Sequence, residues 1–133
     1  MGLDMYLKKR TYTFNGKLKD IDFKSFKNIS YIVEDAGYWR GSWHIHNWIV
    51  ENIQDGVDNC AEYLFDQDDM ATLLDLVNRV LSDHKLAPEL LSTGDYENAD
   101  PYDKHYFETL QETKMILENA ISEVNEFYYY SSW

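Results

Sequence analysis

The chain has one cysteine, Cys60. It cannot form an internal disulfide, and a single thiol with no CxxC partner cannot build a zinc knuckle. No apolar run exceeds a few residues, so no segment is expected to span a membrane. The opening residues lack a basic start, a long apolar stretch and a small-residue cleavage site. No secretory leader is therefore expected, and a reducing cytoplasm is the default. Repeats and low-complexity linkers are also missing, and 133 residues suit one domain, 1–133. Apolar residues make up 44% of the chain, enough for a core, which excludes wholesale disorder.

Positive charge is scarce. Twelve Lys and Arg face twenty-four Asp and Glu, a net charge of −12. A duplex nucleic-acid binder needs cations to displace counterions from phosphate, so that class is excluded. The deficit is uneven. Residues 1–40 sum to +3 and residues 41–133 to −15. A small anionic ligand remains possible if it meets the first part, near Lys8, Lys9, Arg10 and Arg40.

Catalytic signatures are absent. There is no G-x-S-x-G, no Walker lysine, no G-x-G-x-x-G and no H-E-x-x-H. Asp66-Gln-Asp68-Asp69 is acidic, but an EF-hand loop starting there wants Gly and Glu where Ala71 and Val77 stand. His44 with Glu51 is a conceivable acid–base pair, but such pairs are commonplace on wet helix faces. Neither catalytic residues nor a metal or cofactor are expected.

What is abundant is aromatic: four Trp, eleven Tyr and six Phe, with Trp39, Trp43 and Trp48 within ten residues. Aromatics fill cores, stack on bases and form oligomer interfaces.

Residues 3–7 alternate, with Leu3, Met5 and Leu7 on one side, which predicts a half-buried strand. It runs on through 11–14, and Asn15-Gly16 is a hairpin-turn pair, so residues 11–20 read as a hairpin. Residues 17–30 read as an irregular insertion, and 31–33 are ambiguous. Residues 39–53 read as a helix closed by Gly56. At about 100° per residue, Trp39, Trp43, His46 and Ile49 share its buried arc. Arg40, His44, Asn47 and Glu51 fall opposite. Residues 60–65 read as a strand that buries Cys60 as an inert thiol. Asp66 caps a helix marked by Met70, Leu73, Leu74, Val77 and Leu81. Residues 84–100 connect it to a helix starting at Asp100-Pro101 and marked by Tyr106, Leu110, Leu117, Ile121 and Val124. Residues 127–130 read as a last strand. The order predicts an α+β fold: a small, mainly antiparallel sheet with about three helices packed on one face.

His44-Ile45-His46 can bind metal on a strand, where both imidazoles share a face. On a helix they diverge by about 200°. His46 is then a satisfied, partly buried histidine and His44 a surface one. Tyr38-Trp39-Arg40 with Trp43, His44, Asn47 and Trp48 has the residue types that suit a nucleotide. They supply aromatic planes for a base, a forked Arg for phosphate and an Asn for base edges. In the other reading the tryptophans are core and Arg40 pairs with a carboxylate. Residue type and spacing alone favour the second.

The sequence resembles a family of small phage proteins. The shared pieces are Met-Gly-Leu-Asp-Met-Tyr-Leu at residues 1–7, Gly37-Tyr-Trp-Arg40, Ile45-His-Asn-Trp48, residues 50–58 with Cys60, and the closing Tyr-Tyr-Ser-Ser-Trp133. The resemblance covers most of the chain and is loosest over 15–35 and 85–100. Where the family usually has Lys and Asn after the arginine, this chain has Gly41 and Trp43. Such phage proteins are often labelled phosphoglycerate kinase. A kinase of that type needs two large domains and a phosphate-cradling loop, which this chain does not supply.

In size and aromatic-plus-Arg content the chain is similar to the viral nucleotide sponges, the anti-CBASS proteins among them. They hold cyclic nucleotides uncut, generally as oligomers. The resemblance implies a homo-oligomeric anti-defence protein that sequesters a cyclic nucleotide immune signal. Arg40 would meet phosphate, and Tyr38, Trp39 or Trp43 would stack on a base. His44, His46 and Asn47 would make polar contacts, with Lys8 and Arg10 adding charge. Two other readings stay open. One is an acidic inhibitor of a host nucleic-acid-acting protein. The other is a small hydrolase of the same signal, using His44 or His46.

Overall fold

The structure, a computed structural model, describes residues 2–12, 29–94 and 101–133. The predicted Asn15-Gly16 turn and most of the 17–30 insertion lie outside the described residues.

The fold is α+β. Strand β1 (Asp4–Tyr12) is followed by β2 (Tyr31–Arg40), helix α1 (Trp43–Asn52) and the short strand β3 (Tyr63–Leu64). Helix α2 (Gln67–Ser82), a 3-10 turn (His84–Leu86) and the single-turn α3 (Ala87–Leu90) come next. Helix α4 (Lys104–Ile121) and β4 (Glu126–Ser132) complete the order. The sheet order is β2-β1-β4-β3 and every pairing is antiparallel. Among the described residues no helix is long and apolar enough to cross a membrane.

Alternation decides which side of the sheet is covered. In β1, Met5 and Leu7 are fully buried while Tyr6 and Lys8 point the other way. Met5 pairs with Trp39 and Ser131, and Leu7 with Gly37 and Tyr129. Met5, Leu7, Trp39 and Tyr129 share one buried core with Ile45 of α1 and Leu110 and Leu117 of α4. Gly37 marks the closest approach: a Cβ there would stand 2.6 Å from Ile116 Cγ2 of α4. Glycine is what allows α4 to lie that close.

Helix α2 forms as its sequence predicts. The Asp66 side chain accepts from the Asp69 amide at 2.8 Å, with Asp68 and Asp69 in the first turn. Met70, Leu73 and Val77 are fully buried.

Five expectations are corrected. Residues 39–53 are not one helix. Trp39 and Arg40 end β2, and Gly41 (φ +66°) turns the chain, its amide donating to Leu3 O at 2.8 Å. A one-residue irregularity at Leu7/Lys8, where Lys8 faces Asp35 rather than Ala36, breaks the alternation of β2 and hides it as a strand. The 60–65 strand shrinks to Tyr63–Leu64. Cys60 is exposed, at φ +57° in the left-handed region, because the loop turns there. Helix α4 starts at Lys104 rather than at Pro101, since Asp103 supplies the cap by accepting from the Tyr106 amide at 3.1 Å. Val124 lies beyond α4 and is 86% exposed.

Candidate functional site

The sequence-predicted site residues separate into three places, the core, a groove and the open face of the sheet. Trp39 and His46 go into the core. The Trp39 indole donates to Thr113 Oγ1 at 2.8 Å. His46 is fully buried between Asp58 and Tyr129. Its Nε2–H donates to Asp58 Oδ2 at 3.0 Å, so its Nδ1 accepts from the Tyr129 hydroxyl at 2.6 Å. Burial, then the nearby Asp58 carboxylate, holds the Tyr129 hydroxyl protonated well above its ordinary range. Trp43 is half-buried, edge-on to His46 at 5.7 Å between ring centroids. His44 and Asn47 line a groove on the helix side. His44 is only 4% exposed, not on the surface. The 100° arc that placed it in water was phased from Trp39, which belongs to a strand. The His-x-His pair diverges, His46 towards β4 and His44 towards α4.

Tyr38, Arg40, Lys8 and Arg10 come together on the face of the sheet opposite the helices. The register builds it row by row. Arg40, Asp4 and Ser132 form the first row, and Tyr38, Tyr6 and Tyr130 the second. Asp35, Lys8 and Tyr128 form the third, and Val33, Arg10 and Glu126 the fourth. Tyr12 and Tyr31 close it. Six of the eleven tyrosines are therefore on this face, so much of the aromatic surplus is on the surface side rather than in the core.

The tyrosines form an ordered array. Tyr6 stacks on Tyr130 at 4.7 Å between centroids, with planes 15° apart, and lies 5.4 Å from Tyr38. The Arg10 guanidinium sits between two rings, 4.3 Å from the centroid of Tyr31 and 4.0 Å from that of Tyr128. Glu126 accepts from the hydroxyls of Tyr128 and Tyr12, both at 2.8 Å. Those bonds, Tyr128 first, hold its carboxyl below the usual range, while burial and that same bond push Tyr128 up to about 12.

The cations are not equivalent. Lys8 is paired with Asp35, and Arg10 with Glu62 at 3.0 Å. The hydrogen bond that Lys8 donates to Asp35 is the main reason its ammonium stays charged above its ordinary range. Arg40 is exposed and makes no ion pair among the described residues. It stands beside Tyr38, which is half exposed and donates its hydroxyl to Asp4. Arg40 and the Tyr38–Tyr6–Tyr130 row thus offer a forked cation next to an aromatic shelf. Sequence reasoning found Tyr38 and Arg40 but missed Tyr6 and Tyr130. They lie on other strands, and only the register joins them.

No family model, no curated protein and no solved structure matches the chain.

Proposed function

We propose that the protein is a non-catalytic binding module that takes a nucleotide on the tyrosine face. The supporting observation is the Tyr38–Tyr6–Tyr130 row beside Arg40, which makes no ion pair among the described residues. Bases stack on tyrosine rings, and guanidinium pairs bidentately with phosphate oxygens. Among the described residues the face carries no histidine or cysteine, and its carboxylates are already engaged: Asp4 and Glu126 accept from tyrosine hydroxyls and Asp35 pairs with Lys8. Binding is better supported there than turnover. The phage resemblance narrows the ligand to a cyclic nucleotide of host defence, held uncut by a self-associating protein.

The test is retention. The protein is incubated with cyclic di- and trinucleotides and cyclic ADP-ribose isomers, desalted and heat-denatured, and the released material is analysed by mass. Intact nucleotide is expected. Arg40→Ala and Tyr38→Ala should each lower retention about tenfold, the effect of losing one charged or stacking contact. Altered nucleotide would mean an enzyme. No retention of any of them, or retention indifferent to both substitutions, would sink the reading and favour the acidic inhibitor.

A further inference from the structure

On the other side of the molecule α1 and α3 enclose a groove of about 360 Å³. Small-molecule sites run from about 300 to 1,000 Å³, so this one suits a compact ligand. Its α1 wall is His44, Asn47, Trp48, Glu51 and Asn52, the i, i+3, i+4, i+7, i+8 face of the helix. Glu89 of α3 stands in the opposite wall.

The charged side chains of this groove are acceptors only, beside the amides of Asn47 and Asn52 and the hydroxyl of Ser92, which both donate and accept. Glu51 and Glu89 are its charged side chains, and neither is ion-paired among the described residues. Asn52 spends one of its two amide N–H groups on Trp48 O at 2.8 Å and keeps its amide oxygen as an acceptor. The His44 tautomer follows from its neighbours. The Thr109 hydroxyl donates to Tyr106 O at 2.7 Å, so Thr109 Oγ1 accepts from His44 Nε2–H at 2.8 Å. His44 Nδ1 is then a lone-pair acceptor with no partner among the described residues, on a residue that is 4% exposed and lines the groove. Burial, then the neighbouring His105, lowers the His44 pKa to about 3, so the ring stays neutral and does not repel a cation at physiological pH. The half-buried Trp48 indole adds an aromatic surface of the kind that attracts cations.

We propose that this groove binds a small organic cation rich in N–H donors, of the amine or guanidine class, with Glu51 and Glu89 neutralising it, His44 Nδ1 accepting a hydrogen bond and Trp48 flanking it. This site is separate from the tyrosine face and does not depend on the nucleotide reading.

Agmatine, with a guanidinium at one end and an ammonium at the other, is the probe. Titration into the wild-type protein, followed on the Trp48 indole N–H resonance, should saturate. The Glu51→Gln/Glu89→Gln variant should bind at least tenfold more weakly. A Glu108→Gln/Glu112→Gln variant, which removes the same charge from exposed α4 positions, should bind as wild type. The proposal is overturned if agmatine does not saturate. It is equally overturned if the groove variant binds unchanged, or if both variants weaken binding alike, which would mean diffuse attraction to an acidic protein.

Discussion

The two faces of the sheet are built from alternate residues of the same strands, and they differ in what water can reach. On the covered face Leu3, Met5 and Leu7 are 0% exposed and Trp39 and Phe127 are 1% exposed. Each such burial contributes about 1.5–3 kcal/mol. On the open face Tyr38, Tyr31 and Val33 are 50%, 42% and 48% exposed, and the rings lean on one another rather than on a helix. Cross-strand pairs of that kind contribute about 0.2–1 kcal/mol each. The covered face therefore carries stability. The open face keeps its chemistry available.

The strongest way to break this comparison is to truncate neighbours that point opposite ways. Leu7→Ala should cost up to about 5 kcal/mol, read as a fall in the urea midpoint. Tyr6→Ala should cost under about 1 kcal/mol. Equal losses would mean that the open face is as structural as the covered one.

Acid separates the two sides next. His44 has a folded pKa of about 3 against 6.5 for a free histidine. Between those values the unfolded chain binds a proton that the native state refuses, so stability rises with pH there. The contribution is complete above pH 6.5 and lost as pH falls towards 3, on the order of 5 kcal/mol in all. His44→Gln should remove that slope from denaturation midpoints measured from pH 7 to pH 4. On the open face Glu126 has a lowered pKa, because Tyr128 and Tyr12 donate to its ionised form. Its stabilisation is present above the ordinary carboxylate range and is lost as pH falls through its folded value. Glu126→Gln should change midpoints only at the acid end of the same series.

A smaller effect probes the buried polar contacts. Tyr129→Phe removes the hydroxyl that donates to His46 Nδ1 and leaves a buried acceptor unpaired. It should cost about 1–3 kcal/mol, seen as a drop in Tm with far-ultraviolet circular dichroism unchanged. Smallest of all is Arg40→Ala, expected within about 0.5 kcal/mol of wild type in chemical denaturation. Its consequence should show in ligand retention alone.

Sequence reasoning reached the parts of the fold whose signals are local. The Asp66 cap and the spacing of Met70, Leu73 and Val77 mark α2, and the alternation of Leu3, Met5 and Leu7 marks β1. Strand β2 was hidden because its irregularity opposite Leu7 and Lys8 switches which residues face inward, and because Glu34, Asp35 and Gly37 interrupt any apolar pattern. Taking its last residues into the following helix then put His44 on the wrong side. The tyrosine row was illegible for another reason. Tyr6, Tyr38 and Tyr130 are adjacent only through strand pairing, and no spacing along the chain encodes that.

The strand order has a consequence for how the molecule comes into being. Strand β1 lies between β2 and β4, and the partners Tyr12 and Glu126 are 114 residues apart. Contacts that close so long a loop form slowly, because chain entropy must be lost before they stabilise anything. A ribosome delivers β1 early and β4 late, at about 5–20 residues per second. During that interval Leu3, Met5 and Leu7 have no complete sheet to enter. Refolding of the intact chain should therefore be slow for its size, and a nascent chain stopped before β4 should be a target for chaperones.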